Sequence, residues 1–181
     1  MSTLSIPVLF GTAREGNASE PAAKYIHALL KARAIETALV LPRDYHDKKT
    51  LERAAPKPWA ELMANADGLV IVTPEYNHGY PGGLKEMIDA LYDEYARKPV
   101  AICGVSAGGL GGARVVEQLR QVMVELHMCP IREAVYFSNI RDLFNPDGSP
   151  TDPSLEKRCN VMFEELFWFA RVLKAGREGT V

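Results

Sequence analysis

The sequence predicts a three-layer α/β sandwich, a parallel sheet covered by helices on both faces. Three observations carry that reading. Short, nearly continuous apolar runs such as residues 68–73 and 99–105 alternate with longer stretches whose apolar residues recur at helical spacing. Strands that are apolar throughout, without alternation, are those buried on both faces, as in a parallel sheet between helix layers. The strand–helix alternation occurs five times in 181 residues, and right-handed crossovers fold such a series into one sheet.

Residues 6–10 make the first strand, closed by Gly11. Pro7 can donate nothing to a ladder, so it is expected among the first paired residues of that strand. Ala22, Ile26, Leu29 and Leu30 recur at helical spacing and predict a helix over about residues 20–34. Residues 35–41 are a second, less strongly patterned strand. Residues 42–58 are charged and contain Pro42, Pro56 and Pro58, and so read as an irregular connection. Trp59, Leu62, Met63 and Ala66 then make a short helix. Residues 68–73 form the third strand, ended by Pro74. A third helix starts after Pro81-Gly82-Gly83, with Leu84, Met87, Ile88, Leu91, Tyr92 and Tyr95 on one broad stripe. Such a stripe is expected to pack into the core rather than to form an oligomer face. Residues 99–105 are the fourth strand, followed by a glycine cluster and a helix carrying Val115, Val116, Leu119, Val122, Met123 and Leu126. Residues 131–137 are the last strand. A turn-rich segment with Asn145-Pro146-Asp147-Gly148 leads to a final helix from about Pro153 to Lys174, with Gly176 as its stop signal. With no repeat, low-complexity tract or linker, residues 1–181 are expected to form a single domain.

The formal net charge of −2 offers no basic footprint for nucleic acid or anionic lipid, and it lacks the heavy acidity of a carrier that docks onto basic partners. That balance favours an enzyme acting on small molecules. Cys103, Cys129 and Cys159 are widely spaced and form no CxxC pair, which argues against a disulfide framework, an Fe–S cluster or a structural zinc site. Each is expected to be a small buried thiol, and no metal site is expected. Neither a leader pattern nor an apolar run of the ~20 residues a membrane span needs is present, so a cytoplasmic location away from membranes is expected.

In an open α/β sheet, ligands bind beyond the carboxyl ends of the strands. The first such loop is Gly11-Thr12-Ala13-Arg14-Glu15-Gly16-Asn17-Ala18-Ser19. Amides at a helix N-terminus, the hydroxyls of Thr12 and Ser19 and the planar fork of Arg14 together suit an anion. From these residues alone, an ordinary capped loop with Ser19 as N-cap is an equal reading. No Lys-Ser/Thr follows the glycines, and GxGxxG is not matched, so neither nucleotide triphosphate hydrolysis nor a Rossmann site is indicated. The second loop, Thr73-Pro74-Glu75-Tyr76-Asn77-His78-Gly79-Tyr80-Pro81-Gly82-Gly83, sets a rigid backbone beside two tyrosines and an amide. A flat heteroaromatic ring suits such a site, and a plain Pro/Gly turn with surface tyrosines is the alternative. The third, Ser106-Ala107-Gly108-Gly109-Leu110-Gly111-Gly112, lets the backbone approach a ligand closely.

In these three loops, the sequence resembles the NADPH-dependent FMN reductases among the flavodoxin-like proteins, a family with quinone-, chromate- and azo-dye-reducing members. Gly11-Thr12-x-Arg14 followed by Ser19 is similar to the family's Gly-Ser-x-Arg…Ser phosphate loop, with Thr in place of the usual Ser. Pro74-Glu75-Tyr76-Asn77 matches its signature and Tyr80-Pro81-Gly82-x-Leu84-Lys85 the continuation, while Ser106 and the glycines after it resemble its third flavin-facing loop. The likeness spans essentially the whole chain. It implies a flavodoxin-like sandwich with a five-stranded parallel sheet of order 2-1-3-4-5 and non-covalent FMN. Gly11, Thr12, Arg14, Asn17, Ala18 and Ser19 would hold the phosphate. Pro74, Glu75, Tyr76 and Asn77, with Ser106, Ala107, Gly108 and Gly109, would line the ribityl chain and isoalloxazine. It further implies a homodimer or homotetramer and hydride delivery from NADPH or NADH to flavin N5. A small acceptor (quinone, free flavin, azo compound or metal oxyanion) would then take the electrons in ping-pong order. No side chain need act as an acid or base, so no catalytic residue is assigned.

Two other readings remain open at this level. A flavodoxin-type electron carrier would share the cofactor without its own NAD(P)H activity. Gly104-Val105-Ser106-Ala107-Gly108 is also a GxSxG between a strand and a helix, the context of a nucleophile elbow. That hydrolase reading needs an acid and then a histidine after the serine. The only later histidine, His127, precedes the candidate acids Asp142 and Asp147 and reads instead as a helix-terminal residue favourable to the dipole.

Overall fold

A computed structural model describes residues 3–45 and 57–180. Three strands form the middle of a parallel sheet: β1 (Val8–Phe10), β3 (Leu69–Pro74) and β4 (Pro99–Val105). β2 (Leu39–Val40) flanks β1, and β5 (Cys129–Pro130) and β6 (Val135–Phe137) both flank β4. The order is therefore β2-β1-β3-β4-β5, as expected, with the fifth position shared by two short strands. Helices α1 (Glu20–Ala32) and α5 (Leu155–Arg177) cover one face, and α2 (Lys57–Asn65), α3 (Gly82–Asp89) and α4 (Ala113–Glu125) cover the other.

Every residue of β1, β3 and β4 is buried because alternate side chains feed two separate cores. Val8, Phe10, Val70, Val72 and Cys103 pack under α1 and α5, while Leu9, Leu69, Ile71, Val100 and Ile102 pack under α2, α3 and α4. This double burial is the reason the runs lack alternation. Pro7 sits just ahead of the first β1–β3 register pair, Val8↔Val70, where its carbonyl accepts the Val70 N–H and no donor is needed.

Several boundaries differ from expectation. The first helix ends at Ala32, because Ala34 turns left-handed (φ 55°) and its N–H and that of Ile35 fold back onto Lys31 and Leu30 carbonyls. Of the irregular connection, Pro42–Asp44 forms a single 3-10 turn, residues 46–56 lie outside the described residues, and α2 already begins at Lys57. The third helix stops at Asp89. Tyr95 is still buried from a separate turn, but Tyr92 points outward, 54% exposed. The last strand is broken: β5 pairs with β4 in the register Pro99↔Cys129 and β6 in the register Cys103↔Val135, so two extra residues are accommodated between them. The Arg120 guanidinium fills that bulge, donating to the carbonyls of Ile131 and Arg132 at 2.5 and 2.7 Å. The final helix runs through Gly176, and Gly179 (φ 66°) takes the left-handed stop position. Cys103 and Cys159 are buried as expected, whereas Cys129 is only partly so; burial pushes the Cys159 thiol up to about 12. Among the described residues, no helix is long and apolar enough to cross a membrane.

The connection after β2 is tied to α1 by charge. Arg43 donates to both carboxylate oxygens of Glu20, at 2.8 and 3.2 Å. That pairing first, with Lys24 adding to it, holds the Glu20 carboxyl at about 2 against an ordinary 4.5. A carboxyl depressed in the folded state stabilises it above its unfolded value and loses that contribution as pH falls. The urea midpoint is therefore expected to decline as pH drops from 4.5 toward 2. In Glu20→Gln the protein should be less stable at neutral pH and the decline shallower.

Candidate functional site

Three loops meet at the carboxyl edge of the sheet, following β1, β3 and β4. The first leaves β1 at Gly11, whose N–H donates to Val72 of β3 at 2.8 Å and where a Cβ would overlap the Thr73 side chain. The loop then folds on its own side chains. Thr12, 3% exposed, takes the Arg14 N–H on its hydroxyl at 3.2 Å, and Asn17 Oδ1 takes the Ser19 N–H at 2.7 Å. Ser19, 4% exposed, stands at the N-cap position of α1, yet its side chain makes no capping hydrogen bond. Arg14 and Ala18 are exposed, and among the described residues the Arg14 guanidinium has no carboxylate partner. Ala18 also edges a cleft of about 700 Å³ walled by Tyr25 and Phe144.

The second loop begins at buried Pro74 and makes a tight hairpin, Tyr76 and Gly79 exchanging two backbone hydrogen bonds of 2.9 Å. Asn77 and His78 between them both lie at positive φ (49° and 68°), the geometry of a type I′ turn. Two side chains tether the hairpin. The Tyr76 hydroxyl reaches the first loop, accepting from Asn17 Nδ2 at 2.5 Å and lying 3.3 Å from the Thr12 hydroxyl. The Glu75 carboxylate reaches α4, pairing with the Arg114 guanidinium at 2.5 Å and accepting the Arg114 N–H at 3.2 Å. That N–H belongs to the first turn of α4, so Glu75 acts as a capping group delivered from another loop. Gln118 of α4 adds a third tie, donating to the His78 carbonyl at 2.8 Å.

The third loop is held from beneath by the end of β6 and the residues that follow it. Asn139 donates its N–H to the Gly108 carbonyl, Ser138 its hydroxyl to Gly109, and Ser106 N–H donates to Phe137. Ala107, Gly108 and Gly109 are exposed, and a Cβ on either glycine would meet nothing within 4 Å. Open space thus lies over this backbone. Gly104 is the opposite case, because a Cβ there would come 2.5 Å from the Gly112 carbonyl oxygen. A cavity of about 570 Å³, lined by Tyr136, Ser138, Asn139 and Asp142, opens beside the loop.

All fourteen residues singled out in the sequence lie on these three adjoining loops. Their side chains divide into two sorts. Glu75, Tyr76 and Asn17 are spent on holding the loops together, whereas Thr12, Arg14 and Ser19 keep polar groups at the first loop and Gly108 and Gly109 keep an open backbone. Sequence reasoning missed Arg114, Gln118, Ser138 and Asn139. The last two follow a strand at the same sheet edge, which is the signal that could have found them. The hydrolase arrangement does not form. The Ser106 hydroxyl donates to the Gly108 carbonyl at 2.9 Å, and His127 precedes Cys129, which pairs with Pro99 at the far end of β4. Seven residues of strand, about 20 Å, separate the two.

The family model described as NADPH-dependent FMN reductase matches residues 4–142. The chain is 41% identical over 85 residues to the NAD(P)H-dependent FMN reductase LOT6 of Saccharomyces cerevisiae, a match covering 47% of this chain and 40% of that protein. Less than half of that relative's length is thus spanned. Against the quinone reductase of Escherichia coli strain K12, identity is 38% over 133 residues, covering 68% of this chain and 71% of that one. Among solved structures, the flavoenzyme NAD(P)H:(acceptor) oxidoreductase FerB of Paracoccus denitrificans superposes with a TM-score of 0.71 at 24% identity, covering 95% and 98% of the two chains, and so shares the fold.

Removing the Glu75 tether tests the loop assembly. Glu75→Ala is expected to cost about 1 kcal/mol in urea denaturation, chiefly the lost helix cap, since the Arg114 partner is 42% exposed and the ion pair is screened. Hydrogen exchange should quicken at the Arg114 amide and in the Tyr76–Gly79 hairpin, while Glu75→Gln, which can still accept the amide, should change it less.

Proposed function

The chain belongs to the NADPH-dependent FMN reductase family, and from that premise we propose that it holds FMN at the three loops and reduces it with NADPH or NADH for a small electron acceptor. The observation that carries the reading is at α1: Ser19 is buried at the N-cap position and its side chain makes no capping hydrogen bond, beside a buried Thr12 hydroxyl and an Arg14 with no carboxylate partner among the described residues. A structural cap would have turned its hydroxyl onto the helix amides. A hydroxyl, a helix N-terminus and an exposed guanidinium instead suit a phosphate, so the residues present fit FMN.

Bound FMN would supply a two-electron centre able to take hydride from a nicotinamide and yield electrons to a quinone, free flavin, azo compound or metal oxyanion. The chain's part is binding and orientation. Thr12, Arg14 and Ser19, with Gly11 and Ala18, hold the phosphate end. Pro74, Glu75, Tyr76 and Asn77 keep a rigid backbone along the ring, and Ser106, Ala107, Gly108 and Gly109 let the ring lie close to the main chain. Asn17 and Tyr76 serve by fixing one loop against the other. The cavity beside the third loop offers room for a second reactant. No titratable side chain is required to move a proton.

Purified protein is expected to be yellow, to release FMN on denaturation, and to lose its flavin absorbance anaerobically on adding NADPH or NADH without any protein partner. Failure of the apoprotein to take up FMN would end this reading, and bleaching only through a separate reductase would make the chain an electron carrier. Arg14→Ala should weaken FMN binding about 10- to 100-fold by fluorescence titration, the worth of a charge-assisted hydrogen bond, and slow reduction of bound flavin much less.

A further inference from the structure

The cleft of about 700 Å³ that Ala18 edges has no part in the flavin reading above. It is lined by one side of α1 and by residues 140–148, the segment that follows β6, and it falls in the range of small-molecule sites, ~300–1,000 Å³. Its lining is aromatic and preformed. The Tyr25 and Phe144 rings stand 5.5 Å apart, and Phe144 also stacks on Phe137 at 6.3 Å. The second wall is anchored to the third loop, because the Ile140 N–H donates to the Ser106 carbonyl at 3.2 Å. Its turn is closed by backbone bonds from Asn145 to Ser149 and from Gly148 to Asn145, at 2.8 and 2.9 Å. Little order would be lost when a ligand enters.

The polar groups of the cleft suit one class of ligand. Arg141 is exposed and makes no ion pair among the described residues, so its planar fork is available to a phosphate. Lys24 adds a second cation, already paired with Glu20 at 3.0 Å. Asp147 Oδ1 accepts both the N–H and the hydroxyl of Ser149, at 2.9 and 2.6 Å. Its Oδ2 makes no hydrogen bond among the described residues and suits ribose hydroxyls. An aromatic surface for a flat base, a carboxylate for a ribose and a guanidinium for a phosphate together describe an adenylate. Continuity decides which molecule brings it. Ala18 lines the cleft and stands next to Ser19 in the loop assigned to the FMN phosphate. In FAD the adenylate is joined directly to that phosphate. In a nicotinamide dinucleotide it lies at the far end from the ring that must reach the isoalloxazine. Resting on the flavin reading, we propose that the cleft between α1 and residues 140–148 takes the adenylate end of FAD, so that the site holds FAD as well as FMN.

Calorimetric titration of the full-length apoprotein with FMN and with FAD tests this. The wild type should bind FAD at least as tightly as FMN. Arg141→Ala removes the phosphate fork, and Ala28→Trp fills the cleft from an exposed position on α1. Each should weaken FAD at least about tenfold, the worth of one charge-assisted contact or more, and FMN no more than about twofold. Far-UV circular dichroism should show both variants folded, and their retained FMN affinity is a second check. FAD bound more weakly than FMN by the wild type, variants with unchanged FAD affinity, or variants that weaken both flavins alike would each overturn the inference and leave the FMN site standing. Variants that spare FAD and raise the KM for NADPH would give the cleft to the nicotinamide dinucleotide and overturn it too. A wild type that binds neither flavin would instead overturn the flavin reading on which the inference rests.

Discussion

Two close approaches, each made at a glycine, set the geometry of the site. At Gly11 the first loop leaves β1 against the Thr73 side chain, and at Gly104 strand β4 lies against the carbonyls of Gly112 and Gly111, where a Cβ would fall 2.5 and 2.6 Å from oxygen. A side chain at either point would overlap its neighbour and force one of them to shift. With both positions filled by glycine, the first and second loops close to the 2.5 Å contact between Asn17 and Tyr76. The third loop folds back so that Gly111 and Gly112, both at positive φ, lead into α4. Its N-terminal turn is then capped by Glu75 of the second loop. Each loop therefore depends on a neighbour for its shape, and the sheet register decides which loops are neighbours.

The same contacts explain the serine motif. In Gly104-Val105-Ser106-Ala107-Gly108, the first glycine is required by the approach of Gly112 and the second lies under open space. The serine turns its hydroxyl onto Gly108 within the loop. A spacing that suggests a nucleophile elbow is here the imprint of close packing below and an open face above.

Much of the fold was legible because burial on both faces leaves a strong mark: β3 and β4 appear in the sequence as unbroken apolar runs, and the strand order agrees with the family resemblance. The loops were legible because they follow those strands. What escaped were features decided by distant partners. The break between β5 and β6 rests on Arg120 donating to carbonyls 11 and 12 residues away. The Tyr76–Asn17 tie spans 59 residues and depends on where two side chains point. The end of α1 at Ala32, where Ala34 turns left-handed with no glycine to mark it, and the passage of α5 through Gly176 are both settled by hydrogen bonds at the helix terminus. Tyr92 left the apolar stripe because the helix carrying it ends three residues earlier.

The central claim is that the first loop was built around a phosphate, and a comparison of ligands differing only in that group tests it most directly. Calorimetric titration of the apoprotein should find FMN bound at least about 100-fold more tightly than riboflavin, since charge-assisted hydrogen bonds of about 1.5–3 kcal/mol each go to the phosphate alone. Equal affinity for the two would contradict the account and leave Thr12, Arg14 and Ser19 as parts of an ordinary strand-to-helix loop.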